Sequence, residues 1–175
     1  MFTDVYGLCE LVNKDGKTYP AWYKGGGEYA DVSQFDRSDG VAYFRKNGSS
    51  KKEKAEDQFQ VTSCGGNIIK LSMPLRVVCL LRKDKANCDD AYAVDNLAIK
   101  ISDTLELSSG LGTQLNIIES TVTVSEYNTD QYAVLKQEYI SPSVSIVNSS
   151  YAYFSIDITV DLIYDKTCIE YEVCY

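Results

Sequence analysis

The segment 151-YAYFSIDITVDLIY-164 alternates apolar and polar side chains more regularly than any other part of this chain. From position 155 onwards, isoleucine, valine, leucine and tyrosine occupy the even positions, and serine, aspartate and threonine occupy the odd positions as far as Asp161. Because successive side chains of a β-strand point to opposite faces, this pattern predicts a long strand with one face in the core. The other face is expected to meet water or a partner.

A second segment, 75-LRVVCLL-81, is apolar at both odd and even positions apart from its arginine. A strand that is apolar on both sides is covered on both faces, so the segment predicts a central strand of a sheet. Cys79 lies inside this run and is expected to behave as a small core residue.

The N-terminal part predicts a series of short strands. The turn signal 13-NKDG-16 separates candidate strands at 8–12 and 17–24, which is the pattern of a β-hairpin. Pro20 lies inside the second of these strands and predicts either an edge position or a bulge, since proline cannot donate to a strand ladder. Further short strands are expected at 28–32 and 40–45.

Helical periodicity appears once clearly and once weakly. Apolar residues recur at intervals of three and four in the region after position 90, where they form one stripe: Val94, Leu97, Ala98, Ile101 and Leu105. This predicts a long amphipathic helix that Asp89 or Asp90 caps and that 108-SSG-110 ends. The segment 129–139 is a candidate for a second, short helix that begins at Thr129.

Residues 46–57 (KNGSSKKEKAED) have no apolar periodicity and predict an exposed, mobile loop. Four lysines in this loop could face phosphates or an acidic partner, but three acidic residues dilute them, which favours a solvated loop. Together these elements predict one α+β domain over residues 1–175. Its core is expected to be a mainly antiparallel sheet, with the long amphipathic helix and the candidate short helix packed on it.

The charge and residue usage of the chain exclude several classes of function. Seventeen basic and 25 acidic residues give a net charge of −8, which disfavours bulk binding to nucleic acid or to anionic membranes. The chain has no histidine, which is the commonest general base and zinc ligand. We therefore expect no enzymatic activity, no catalytic residues, no cofactor and no metal site.

The six cysteines, at positions 9, 64, 79, 88, 168 and 174, show no C-x-x-C spacing, so neither a zinc knuckle nor a thioredoxin-type site is indicated. Residues 1–10 have neither a basic head nor a long apolar stretch, and we do not expect a secretory signal there. Reduced thiols are therefore favoured over disulfides.

The stretch 15-DGKT-18 invites comparison with a phosphate-binding loop, but the motif requires a glycine where this chain has Leu11. The stretch also lies between two candidate strands and not before a helix. It is interpreted as a turn, and nucleotide binding is not expected.

Two groups of residues are candidates for a subunit interface. The first is aromatic, and tyrosine and tryptophan are enriched at interfaces, although the packing of a small sheet explains the group equally well: Trp22, Tyr23, Tyr29, Tyr43 and Phe44. The second is Asp157 and Asp161, which lie about 13 Å apart on one strand face and are too distant to share a metal ion directly. They are interpreted as a solvated face or as an acidic seam against a basic neighbouring subunit.

The stretch 15-DGKTYPAWYKGGG-27, with Phe35-Asp36 and 40-GVAYFR-45, resembles virion proteins of phages and prophages of gut Bacteroidales, including crAss-like phages. The likeness covers mainly about the first 80 residues. The later order of an apolar strand, an amphipathic helix and long alternating strands is similar to tail-completion and neck ring proteins, which connect head and tail.

That resemblance implies a structural protein that forms a ring of six or twelve copies between portal and tail. Its expected partners are copies of itself, the portal and other neck or tail ring proteins, with DNA passing through without specific binding and with no membrane contact. The expected location is the virion, after assembly in the cytoplasm of the host bacterium. No catalytic residues are implied.

A surface adhesin or carbohydrate-binding β module is the main alternative, because aromatic residues and an even number of cysteines would suit it. A small hydrolase or nuclease that uses carboxylates is the third hypothesis, and the missing histidine makes it the weakest.

Overall fold

The computed structural model describes residues 2–32, 39–55, 67–87, 90–107, 117–139 and 150–165. The strands are β1 (Asp4–Lys14), β2 (Lys17–Gly25), β3 (Glu28–Asp31), β4 (Gly40–Lys46), β5 (Lys51–Lys54), β6 (Ile68–Arg82), β7 (Ile117–Asn128) and β8 (Tyr151–Asp165). The helices are α1 (Lys83–Ala86), α2 (Ala91–Leu107) and α3 (Gln131–Glu138). All eight strands join one sheet in the order β3-β2-β1-β4-β6-β8-β7, and β5 pairs with β6 beyond the end of β4.

Strands β6 and β8 form the centre of the sheet. Each has 15 residues, and they pair antiparallel along their whole length, from Ile68 opposite Asp165 to Arg82 opposite Tyr151. At the rise of a strand this pairing is about 50 Å long. Both long strands that the sequence predicts are therefore confirmed, and both extend further than the apolar pattern indicates.

The two faces of the sheet carry separate cores. On one face, Val77, Cys79 and Leu81 of β6 pack with buried residues of α2 and β8. On the other face, Val78 and Leu80 pack with buried residues of α3 and β4. Because β6 alternates between two covered faces, both parities of its sequence are apolar.

The prediction of an α+β protein with one long amphipathic helix is wrong. Strands hold 61% of the described residues, in one mixed sheet of eight strands, and the three helices are short. In α2, the longest of them, the apolar side chains are not confined to one stripe, since Tyr92 is 76% exposed and Ile99 is 41% exposed. The spacing of apolar residues correctly predicted which side of α2 is buried. It did not indicate how much of the remaining chain pairs as strands.

The sheet is also mixed in direction. Strands β1 and β4 run parallel, while the other neighbouring strands pair antiparallel. The predicted hairpin of β1 and β2 is confirmed, with a two-residue turn at Asp15 (φ 54°) and Gly16 (φ 73°). Positive φ at both turn residues is the geometry that matches the twist of the flanking strands.

Pro20 occupies a local edge of β2. Strand β3 pairs with β2 only as far as Ala21 opposite Asp31, and the backbone N–H of Val32 then donates to the carbonyl oxygen of Pro20 (3.2 Å). Proline has no N–H to donate, and Pro20 lies just beyond the end of the ladder with β3, where no such donor is needed. This agrees with the predicted edge position.

The described part of the predicted loop, residues 46–55, is not continuous loop, because Lys51–Lys54 pairs antiparallel with residues 69–72 of β6. Residues 56 and 57 lie outside the described residues. Before β5 begins, Asn47 N–H donates to the carbonyl oxygen of Pro74 (2.9 Å). Pro74 has no N–H to donate on the side of β6 where β4 and β5 pair. The hydrogen-bond ladder on that side is therefore interrupted at Pro74, between the end of β4 and the start of β5. Apolar periodicity could not reveal β5, since all four of its side chains are exposed.

The start of α2 agrees with the sequence: Asp90 Oδ1 accepts a hydrogen bond from the backbone N–H of Ala93 (2.7 Å). Asp89 and the predicted helix end at 108–110 lie outside the described residues. None of the helices in the described ranges is long and apolar enough to cross a membrane.

The candidate helix at 129–139 is present as α3, but its cap is one residue later than predicted. Asp130 Oδ1 accepts from the backbone N–H groups of Tyr132 (3.0 Å) and Ala133 (3.2 Å). The Thr129 hydroxyl instead donates to Asp95 Oδ1 of α2 (2.6 Å). A carboxylate is the stronger acceptor for free helix amides, so Asp130 takes the cap and Thr129 links the two helices.

Ile156→Ala should lower the free energy of unfolding by about 2–5 kcal/mol, because it empties a fully buried position under α2. Ile118→Ala in β7, where the side chain is 39% exposed, is the control and should cost less than about 1 kcal/mol. Urea denaturation followed by circular dichroism measures both. Equal losses in the two variants would contradict the placement of Ile156 in the core.

Candidate assembly surfaces

Most of the large apolar side chains that remain exposed lie at the two sides of the sheet. Among the described residues, one group belongs to β1, β2 and β3, and we call it the aromatic margin: Val5, Leu8, Trp22, Tyr23 and Tyr29. The other belongs to β7 and to α2, which packs along β7, and we call it the β7 margin: Tyr92, Ile99, Ile118 and Tyr127. Tyr132 of α3 is also exposed, but α3 covers one face of the central strands. The strand order, together with the packing of α2 along β7, places these margins on opposite sides of the central strands.

Cross-strand register builds the aromatic margin. Tyr23 lies opposite Tyr29, with ring centroids 5.2 Å apart, and the ring of Trp22 lies 6.1 Å from that of Tyr6. Trp22 and Tyr23 are neighbours in one strand, so they point to opposite faces of the sheet. The aromatic margin is therefore exposed on both faces and has no single flat platform.

A glycine turn holds the tyrosine pair in place. Gly25, Gly26 and Gly27 all have positive φ, and Gly27 N–H donates to the hydroxyl oxygen of Tyr23 (3.2 Å). The hydroxyl of Tyr29 donates to Glu10 Oε2 (3.3 Å). The negative charge of Glu10 raises the pKa of Tyr29 above its ordinary value.

Tyr43 and Phe44 are not on this surface, which corrects their assignment as interface residues. Tyr43 is fully buried on the α3 face of the sheet, and its hydroxyl donates to Glu138 Oε2 (3.1 Å). Phe44 is half-buried and packs against the core on the α2 face. Strand β4 is central in the sheet and covered on both faces, so its aromatic residues serve packing.

Two arginines attach the end of α3 to the sheet. Arg45 of β4 forms an ion pair with Glu138, whose side chain is 1% exposed (Nη1 to Oε1, 2.7 Å). Arg76 of β6 donates from Nη1 to Gln137 Oε1. Arg45 and Arg76 are direct cross-strand partners, so one polar row crosses the α3 face of the sheet beneath α3.

Asp157 belongs to this same row and not to a free acidic surface. Arg76 contacts it with two hydrogen bonds, from Nε to Oδ1 (2.6 Å) and from Nη2 to Oδ2 (2.8 Å). A bidentate pair of this kind is strong and fixes the geometry of both partners. The charge of Asp157 is thus compensated within the chain.

The charge of Asp161, four residues further along β8, is compensated in a similar way. Asp161 accepts hydrogen bonds from Ser72 Oγ and pairs with Lys70 Nζ (3.1 Å). Partial burial opposes its ionisation, but the hydrogen bonds from Ser72 and Lys70 outweigh that effect and lower its pKa. Neither aspartate therefore offers the uncompensated charge that an acidic seam requires.

Arg45, Arg76 and Glu138 were not predicted from the sequence. The single arginine within 75-LRVVCLL-81 was a signal, because a charged residue in a strand covered on both faces needs a buried or half-buried partner. Its partner could not be found from the sequence, since Asp157 lies 81 positions away.

Small clefts lie between the described residues. One cleft of about 150 Å³ is lined by residues of the polar row and by neighbouring parts of β7 and β8, and it is smaller than ordinary ligand pockets. The described residues hold no group of three or more side chains that could bind a metal ion. Cys9 and Cys79 are free and buried, and burial is the main cause that raises the pKa of Cys9 to about 11. The other four cysteines, and Phe35-Asp36, lie outside the described residues.

Comparison with known proteins identifies no relative. No family model matches this chain, and no curated protein and no solved structure matches it either.

Glu138→Ala should lower the free energy of unfolding by about 3–5 kcal/mol, because it leaves Arg45 and Tyr43 without their carboxylate partner. Glu138→Gln should cost less, since the amide oxygen can still accept a hydrogen bond. Glu119→Ala, an exposed glutamate in β7, is the control and should change stability by less than about 0.5 kcal/mol. If Glu138→Ala matched this control in chemical denaturation, the attachment of α3 through Glu138 would be refuted.

Proposed function

We propose that this chain is a structural virion protein that assembles with copies of itself into a ring in the neck or tail of a bacteriophage, where it acts as a connector or tail-completion protein. The observation that carries the proposal is the placement of exposed apolar side chains on opposite sides of one sheet. A subunit of a closed ring needs two different contact surfaces, one for each neighbour.

The aromatic margin has the composition of a protein interface. Tryptophan and tyrosine are enriched among the residues that dominate binding energies, and here they stand beside the exposed aliphatic residues Val5 and Leu8. Single exposed apolar residues are ordinary, but five on three adjacent strands, spread over both faces of the sheet, leave apolar area on each face that association would bury. This supports a protein partner.

The resemblance of 15–27 and 40–45 to virion proteins of Bacteroidales phages supports a ring over other assemblies. The net charge of −8 also suits a conduit, since a wall of the same sign as DNA does not hold the genome as it passes. Copies of this chain, the portal and other neck or tail rings are the partners proposed. The six or twelve copies implied by the resemblance are part of the proposal.

The adhesin or carbohydrate-binding alternative is less well supported. A glycan platform needs aromatic faces on one side, whereas Trp22 and Tyr23 point to opposite faces and the rings of Tyr23 and Tyr29 are tilted by 53°.

Light scattering during size-exclusion chromatography tests the proposal. The wild-type chain should form an oligomer of defined mass, and the triple variant Trp22→Ser, Tyr23→Ser, Tyr29→Ser should raise the dissociation constant tenfold or more, because loss of an anchor residue costs about 2 kcal/mol. Lys85→Ser in α1, also exposed, is the control and should leave the mass unchanged. A wild-type chain that stays monomeric at every concentration would contradict self-assembly.

A further inference from the structure

One section of the sheet has only four strands, and neither of its edge strands pairs with a further strand within the described residues. Beyond the end of β4, strand β5 takes the place beside β6, so the order there is β5-β6-β8-β7. One register row crosses this section from Lys51 through Ser72 and Asp161 to Thr121. Across the described ranges, β5 pairs with β6 alone and β7 with β8 alone.

The β5 edge is basic. Three of its four residues are lysines, Glu53 is the fourth, and all four side chains are exposed. Lys46, at the end of the neighbouring strand β4, is exposed as well. Lysine on a strand edge discourages pairing with another edge of the same kind, so two β5 strands should repel each other.

The β7 side is acidic. Glu119 and Glu126 of β7 are exposed, and α2, which packs along β7, adds the exposed Asp103 and Glu106 against one exposed lysine, Lys100. Glu106 also accepts a hydrogen bond from the backbone N–H of Val124 (3.0 Å), which fixes α2 beside β7. Two such sides would repel each other for the same reason as two β5 edges.

We infer that neighbouring copies of this chain meet head to tail, with basic strand β5 of one copy against the acidic side formed by β7 and α2 of the next. This inference rests on the proposed self-assembly and names the surfaces that carry it. Opposite charges attract across the contact, whereas either edge against its own kind brings like charges together.

A head-to-tail contact between two different surfaces is the kind of contact that builds a ring. A two-fold contact uses the same surface on both partners, and charge repulsion opposes it here for both edges. A contact between two different surfaces repeats from copy to copy and closes into a ring when the rotation allows it. β5 lies on the same side of β6 as the aromatic margin, so one flank of each subunit combines lysines with aromatic residues.

A charge-swap experiment tests the contact. The first variant carries Lys51→Glu, Lys52→Glu and Lys54→Glu, and the second carries Asp103→Lys, Glu119→Lys and Glu126→Lys. Each variant alone places like charges across the contact, and its dissociation constant should rise tenfold or more. An equal mixture restores opposite charges at every contact if the two variants alternate, so the mixture should assemble again. Lys83→Glu with Lys85→Glu, in α1, is the control and should assemble as the wild type does.

Mass by light scattering and intact folding by circular dichroism are measured for each sample. Assembly of the mixture but of neither variant alone supports the head-to-tail contact. If both variants assemble alone, or if neither they nor their mixture assembles although each is folded, the β5–β7 contact is refuted while self-assembly of the wild type stands. A wild type that never assembles would refute the proposed function itself.

Discussion

The fifteen-residue register between β6 and β8 is the constraint on which the rest of this structure depends. It places Arg76 opposite Asp157 and Ser72 opposite Asp161, so the charged residues of the two central strands satisfy each other. A slip of one residue would turn every side chain of β8 to the wrong face and separate both pairs. The register also determines which faces are left for α2 and α3 to cover.

This packing buries most apolar side chains of the central strands but leaves large ones exposed at the two sides of the sheet. Strands β4, β6 and β8 bury their apolar residues on both faces, whereas β1 to β3 at one side and β7 with α2 at the other keep large apolar side chains exposed. The same division appears in charge, since internal ion pairs compensate Asp157 and Asp161 while the lysines of β5 and the glutamates of β7 remain in solvent. The proposed function by assembly rests on this uneven distribution.

The sequence predicted the elements whose side chains alternate or repeat. The sequence was enough to predict four features: strands β6 and β8, the hairpin turn at Asp15 and Gly16, and the helix cap at Asp90. Each of them depends on residues that are close together in the sequence. The α+β class was wrong because β5 and the outer part of β1 show little apolar periodicity and form strands only beside a partner. The attachment of α3 was missed for a related reason, since Arg45 and Glu138 are 93 positions apart.

The central claim is that copies of this chain close into a ring through two different sides of one sheet. Single-particle electron microscopy of the purified wild-type protein tests it most directly. The account predicts closed rings with one rotational symmetry, in which the β5 side of each subunit faces the β7 side of the next. Two-fold dimers, open filaments or isolated monomers on the grid would contradict it.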